Sequence, residues 1–434
     1  MSGSPKPYLT LRHRDFARLT AAQLLSLTGT QMQSAAINWH VYLLTRSPLA
    51  LGFVGLTKVL PIIAFSLWGG VVADRRDRRR VMLVAQLVMT ATALILATAT
   101  LTRRDTLWLI YGMNLVTAAA GAFDGPARHA LLPRLVPATD LPGALSINLS
   151  AFQTAMIGGP ALAGLVIAGA RSPEGGLSTI YVLNAVSFLA VIFALLTMQT
   201  SGAVAPSEAQ AARPMEALRE GLRFVFTTPL IVWTMSLDFL ATFFSGAMSL
   251  LPVFADQVLH VGPKGYGVLA AAPAVGALAG SLFLSIRPLP PGQGRVLLWS
   301  VAAYGAATTV FGFSRVFWLT LVALALTGLA DSISTVIRQA LRQLATPDAL
   351  RGRSTSVNMI FFLGGPQLGE LEAGLVASLF ASAAVGVTFS VVSGGLATVL
   401  LTAWIAAKVP MLRRYDFREH IPTPSPPGRG EKGS

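Results

Sequence analysis

The chain has 434 residues, of which 53% are hydrophobic and only 12% charged, against about 25% charged residues in a soluble domain. With a mean hydropathy of +0.62, a water-soluble fold of this size lacks the polar surface to cover itself. That excludes a cytosolic enzyme, a secreted domain and a disordered chain. The net charge of +14, from 33 Lys/Arg against 19 Asp/Glu, suits either a nucleic-acid patch or membrane-orienting loops, and its placement decides between them.

Twelve apolar stretches of spanning length follow in chain order. They lie near 17–44, 52–73, 81–101, 107–130, 144–170 and 177–198, then near 229–255, 265–286, 295–313, 316–340, 354–381 and 384–407. Turn signals separate them, such as Arg46-Ser47-Pro48 and Arg171-Ser172-Pro173. Basic residues precede the first stretch, but it is too long for a signal peptide and no small-residue cleavage site follows, so it reads as a retained helix. The polar segment 199–228 divides the chain into an N-terminal six-helix half (1–198) and a C-terminal six-helix half (229–407). Within it Met215, Leu218, Leu222, Phe224 and Val225 have amphipathic spacing. The basic tail 408–434 reads as a disordered cytoplasmic terminus.

With the N-terminus cytoplasmic, six of the 33 Lys/Arg fall on outer segments (Arg46, Arg103, Arg104, Arg171, Lys264, Arg315) and Lys58 falls inside the second stretch. The rest recur on every second loop. A nucleic-acid surface would cluster them, whereas this distribution follows topology and implies no nucleic-acid partner. There is no cysteine, and no nucleophile elbow, H-E-x-x-H or P-loop, so no catalytic residue, metal site, cofactor or ATP use is expected.

The chain also matches itself at an offset of about 207 residues. Gly121-Ala-Phe-Asp124 parallels Gly328-Leu-Ala-Asp331, and Gly158-Gly-Pro160-Ala-Leu-Ala-Gly164 parallels Gly364-Gly-Pro366-Gln-Leu-Gly369. Two six-helix halves in parallel orientation are implied.

The loop after the second stretch reads Gly70-Val-Val-Ala-Asp74-Arg75-Arg76-Asp77-Arg78-Arg79-Arg80. It resembles G-x-x-x-D-R-x-G-R-R, the cytoplasmic signature of the major facilitator superfamily, with Asp77 in place of glycine. Its elements have readable roles: Gly70 for close helix approach, Asp74 for pairing or capping at the membrane boundary, and Arg75, Arg78 and Arg79 for anchoring to the inner leaflet. The fifth-helix segment Gly159-Pro160 through Gly164 resembles the Gly-Pro-x-x-Gly element of the exporter branches, and Gly365-Pro366 stands at the repeat-related place. With Pro126-Ala-Arg128 and Gly365 through Gly374, these residues resemble the branch holding the bacterial enterobactin exporter and related macrolide and multidrug exporters. The resemblance implies an all-α polytopic membrane protein, the major facilitator fold with twelve helices in two pseudo-symmetric halves. The fourth-helix arginine signature common in drug exporters is not visible around Tyr111-Gly-Met-Asn114.

Ionisable residues within spans are costly, so each is a functional candidate. Asp238, Glu370 and Glu372 are candidates for proton coupling. Lys58 is expected to pair with Glu370 or Glu372 across the halves as an outer gate, with Glu372 the favoured partner. Asp124 with Arg128, and Asp331 with Arg338, read as cytoplasmic latches, while Asp256 reads as interfacial and is set aside. Gln31, Asn38 and Trp39 in the first stretch, with Phe243 and Met248 in the seventh, are candidate walls of a substrate cavity. The expected function is secondary active export of a small amphipathic molecule (drug, macrolide or siderophore) by proton antiport, as a monomer in the bacterial inner membrane. A lysophospholipid flippase, an uptake symporter and a non-transporting receptor or scaffold remain open at this point.

Overall fold

Long apolar stretches in lipid must satisfy their backbone hydrogen bonds internally, which makes them helices. A computed structural model of the chain describes residues 7–203, 214–287, 291–347 and 351–416. The first half comprises α1 (Arg14–Thr45), α2 (Pro48–Arg75), α3 (Arg78–Leu101), α4 (Leu107–Leu131), α5 (Leu141–Gly169) and α6 (Pro173–Thr197). The linker contributes α7 (Pro214–Thr227). The second half begins with α8 (Pro229–Phe244), continued by a 3-10 turn (Ala247–Leu250), α9 (Leu251–Val253) and a π turn (Phe254–Val258). Then come α10 (Gly262–Ile286), α11 (Gln293–Phe313), α12 (Phe317–Ala345), α13 (Arg351–Ser378), α14 (Ala383–Lys408) and the short α15 (Pro410–Arg414).

Nine helical stretches among the described residues are long and apolar enough to cross a membrane. The spanning-length helices α1, α4 and α13 fall outside this measure, and they carry the buried polar residues Gln23, Gln33, Asn114, Asp124 and Glu370. Large apolar residues such as Trp108 and Trp299 instead face outward, 80% and 76% exposed, as a lipid-facing surface requires.

The starts of α2 and α6 share one device. Ser47 and Ser172 accept hydrogen bonds from the backbone N–H of Ala50 (3.4 Å) and Gly175 (3.1 Å), with proline next in the chain. Serine satisfies an orphan amide and proline has none to satisfy. On the other side of the bundle, Asp77 caps α3 by accepting from Arg80 N at 3.1 Å. The residue that departs from the superfamily signature therefore starts a helix.

Two expectations for that loop are corrected. A Cβ on Gly70 would meet nothing within 4 Å, whereas one on Gly69 would lie 2.1 Å from the carbonyl oxygen of Ala122 on α4. The close approach belongs to Gly69. Arg78 and Arg79 do not reach outward as leaflet anchors. Arg78 donates to Ala130 O (3.3 Å), and Arg79 to Met198 O (3.1 Å) and Leu196 O (3.0 Å). They bind carbonyls at the ends of α4 and α6, where cations oppose the helix dipole. Asp74 lies in the last turn of α2, and its side chain falls outside the described residues.

The seventh stretch, expected to be continuous, is broken at Ser245-Gly246. A Cβ on Gly246 would lie 2.7 Å from the backbone of Gly369 on α13, and Ser245 Oγ is 2.9 Å from Thr398 Oγ1 of α14. Packing against two helices, with Pro252 unable to donate, favours the interruption over a straight helix. The tail beyond residue 416 and the linker 204–213 lie outside the described residues. Within the linker, α7 places Val225 in a cluster with Ile231, Met235 and Val357, so it docks on the second half.

Candidate functional site

Contacts divide the helices into two bundles. In one, α1 packs on α5 and α6, and α3 on α4 and α6. In the other, α10 packs on α12, and α11 on α12 and α14. The bundles meet along two seams, α2 with α13 and α5 with α10. The first and last described residues, Pro7 and Asp416, and α7 lie at one end of the bundle, hereafter the terminal end.

The seams are closest at the opposite end, where two glycine crossings let backbones touch. A Cβ on Gly164 would lie 2.6 Å from Pro263 O and 2.8 Å from Gly267 Cα. One on Gly52 would lie 2.9 Å from Glu370 O and 3.2 Å from Gly374 Cα. Pro48-Leu-Ala-Leu-Gly52 and Pro263-Lys-Gly-Tyr-Gly267 supply corresponding sides of the two crossings, a repeat that simple self-comparison misses.

One apolar cluster runs through both halves here, with Trp39, Tyr42, Leu51 and Tyr181 against Leu250, Phe254, Tyr266 and Ala377. Toward the terminal end the cores separate. Phe16, Met82, Leu131 and Leu195 belong to the first half, and Leu237, Leu297, Ile337 and Ile405 to the second.

Polar contacts reinforce the closed end. Arg46 Nη1 lies 2.8 Å from Asp256 Oδ2, and Tyr42 Oη donates to the same oxygen at 2.5 Å. Tyr266 Oη donates to Ala35 O at 3.0 Å, and Trp39 stacks on Tyr266 at 5.2 Å. Among the described residues the ion pair that joins the halves is Arg46–Asp256, whose acid reads as interfacial in the sequence. Lys58 Nζ instead donates to Ser34 Oγ at 3.1 Å, and among the described residues no ion pair joins it to Glu370 or Glu372. The two acids lie two residues apart, about 200° around a helix, so they cannot share one face.

The side chains of Arg46 and Asp256 are 54% and 36% exposed, which holds such a pair to about 1 kcal/mol or less. Asp256→Asn is therefore expected to increase maleimide labelling of a cysteine placed at the buried Leu51 by no more than about fivefold. Unchanged labelling would remove these residues as a latch.

Within the second half, Arg338 on α12 reaches across to Asp238 on α8, 2.7 Å away, and lies 3.6 Å from Asp331 on its own helix. Its guanidinium also donates to Ser334 Oγ and to Thr335 Oγ1 (2.8 Å). Thr234 and Thr242, which flank Asp238 on α8, donate to backbone carbonyls. Asp124 is fully buried, paired with Arg128 on the same helix and hydrogen-bonded by Gln86 Nε2 at 3.0 Å. Both acid–arginine groups lie inside their own halves, so neither latches the halves together in this conformation.

The candidate cavity walls have several surroundings. Gln31 contacts Met156 Sδ on α5, beside Gly159, whose Cβ would lie 2.4 Å from Gln31 Cβ. Pro160 lies one residue further along α5, and Pro366 lies within α13 beside Gly365, which faces Thr242 of α8. Trp39 is buried in the interhalf cluster, a correction to its reading as a cavity wall. Phe243 stacks on Phe239 at 6.0 Å. Met248 lines a cavity of about 150 Å³ inside the second half, with Tyr304, Thr308, Thr327 and Asp331.

Paired helical bundles with buried charges, sealed together at one end, define a polytopic membrane transporter. The comparisons make that specific. The chain matches the transmembrane secretion effector family over residues 6–427 and belongs to that family of major facilitator transporters. It is 30% identical over 419 residues to the multidrug efflux pump Tap of Mycolicibacterium fortuitum, covering 93% of this chain and 96% of that one. It is 29% identical over 420 residues to the enterobactin exporter EntS of Citrobacter koseri, covering 95% of each. The crystal structure of a bacterial homologue of the lysosomal transporter Spinster, inward-facing and occupied, superposes with a TM-score of 0.73 at 15% identity, covering 95% of this chain and 99% of that one.

Proposed function

We propose that the protein exports a small amphipathic molecule by proton antiport, working as a monomer through alternating access. The carrying observation is the unequal joining of the halves, with one shared core at the opposite end and separate cores at the terminal end. A carrier open to one side at a time needs such an asymmetry, which reverses as one half rocks against the other. The basic loop Arg75–Arg80 and the basic Arg413-Arg414 lie at the terminal end, so the positive-inside rule assigns that end, with both termini, to the cytoplasm of a bacterial inner membrane.

Substrate class is supported by the relatives, one a multidrug efflux pump and one an enterobactin exporter. The partly buried Phe239, Phe243 and Met248 suit adaptable apolar ligands. Asp238, Glu370 and Glu372 are the candidate proton carriers, and one charge crossing 100 mV supplies about 2.3 kcal/mol. The test is transport by the purified protein in proteoliposomes, with enterobactin and a panel of drugs as probes. Substrate-dependent proton flux is expected, together with gradient-driven substrate transport that a protonophore abolishes. Substrate movement indifferent to the protonophore would sink the antiport reading, and movement of labelled lysophospholipid alone would replace it with a flippase.

A further inference from the structure

The seam between α2 and α13 contains buried oxygens that lack hydrogen-bond partners. Glu370 is 8% exposed, and its Oε2 has no partner; nor does Oε1 of Gln367, one turn earlier on the same helix. Positions three apart share a helix face. A Cβ on Gly55 would lie 2.9 Å from Glu370 Oε2 and 2.4 Å from Gln367 O, so α2 leaves no room for solvent on that side.

The ionisable groups around Glu370 are few. Lys58 on α2 is close enough for its charge to act on Glu370, but it donates to Ser34. Tyr266 on α10 is also near and donates its proton to Ala35 O. Glu372 points to another face of α13. The facing element before α9 presents Gly246, whose Cβ would lie 3.0 Å from Glu370 N. None of these delivers a hydrogen to Glu370 Oε2.

Each of these buried oxygens, three residues apart on one helix face, lacks a donor, and each such orphan costs about 1–3 kcal/mol. One proton removes both faults. We propose that Glu370 is protonated in this conformation, its carboxyl O–H donating to the amide oxygen of Gln367, and that this proton holds the α2–α13 seam closed.

The proposal rests on the antiport reading for its direction and deepens it. With the seam open to the outside, the Glu370 carboxylate takes a proton from the outer solution, and the seam closes over the neutral acid. Loss of that proton toward the terminal end leaves a bare carboxylate in the seam. Lys58, one turn along α2 from Gly55 and with two N–H groups unused, is then its nearest counter-ion. A charged, rehydrating seam opens, and the outer side is exposed again. One proton thereby moves inward for each closure, opposite to the exported substrate.

Two measurements on the full-length protein test this. The infrared difference between wild type and Glu370→Gln should contain the C=O band of a protonated carboxyl group, and Gln367→Leu should shift that band by removing its acceptor. The chain has no native cysteine, so a single cysteine at Leu51 reports opening of this seam. Its labelling, divided by that of an exposed reference cysteine at the same pH to remove the thiol's own ionisation, should rise with pH by up to about tenfold per unit in wild type, as one linked proton requires. It should stay low at every pH in Glu370→Gln, whose amide keeps a donor toward Gln367. Absence of the carboxyl band, or equal pH dependence of labelling in Glu370→Gln and wild type, overturns the proposal. The band is read without substrate, so it can be present while proteoliposomes show no proton flux, in which case the antiport reading alone fails.

Discussion

Arg338→Ala is expected to destabilise the protein by about 3–5 kcal/mol and to abolish transport. Removing the guanidinium strands the Asp238 carboxylate between α8 and α12 with no other hydrogen donor among the described residues, both side chains being close to 90% buried (8% and 11% exposed). An uncompensated buried charge costs far more than the net worth of the pair it came from. Replacing both partners, Arg338→Leu with Asp238→Leu, should restore most of the lost stability, because the desolvation cost disappears with the charges. Asp331→Asn should cost less than about 1 kcal/mol, since that carboxyl is 45% exposed and stands 3.6 Å away. Thermal unfolding of the detergent-purified variants measures all three. An Arg338→Ala protein as stable as wild type would show that Asp238 is not held by this pair.

Gly164→Val should abolish transport while leaving a folded, membrane-inserted protein. The new Cβ would fall 2.6 Å from Pro263 O and 3.0 Å from Gly267 N. Those atoms belong to helical backbone, which cannot step aside as a flexible side-chain tip does. The α5–α10 seam must then splay, and the conformation with the opposite end closed loses population. Gly267→Val meets the same crossing from the other helix, at 2.6 Å from Pro160 O, and should behave alike. Gly158→Ala is the control: nothing lies within 4 Å of its Cβ, and alanine is favoured over glycine in a helix by up to about 1 kcal/mol. Labelling of a cysteine at Leu51 should rise at least tenfold in either valine variant and not in the control. Transport at wild-type rate by Gly164→Val would show that this crossing need not close during the cycle.

These expectations differ in how far the sequence alone supports them. The helical stretches, the amphipathic α7 and the parallel repeat follow from hydropathy, periodicity and self-similarity, which are local or collinear properties. The family resemblance rests on contiguous residues such as Asp74-Arg75 and Gly159-Pro160. Side-chain pairing is another matter. Pairing Lys58 with Glu372 needs only two helices that meet across the halves, but which residues face each other depends on helix rotation and axial register. A shift of one residue turns a side chain by about 100°. The same limit hid the partner of Asp238, which lies 100 positions away on α12, and promoted Gly70 over its neighbour Gly69.

A chain too apolar and too poor in charge for water, with its surplus of 14 positive charges laid along alternate loops, is legible in composition and spacing. Composition and spacing decide such properties because the bilayer acts on each stretch separately. What the charges touch is set by how the helices pack. Arg78 and Arg79, counted in sequence as topogenic, bind the carbonyl ends of α4 and α6. Asp256, dismissed as interfacial, joins the halves through Arg46 and Tyr42. Glu370 sits without a visible hydrogen donor in a seam closed by Gly52, Gly55 and Gly374. Contacts of this kind act over a few ångströms between residues up to hundreds apart in the chain, and only packing of the two halves brings them together.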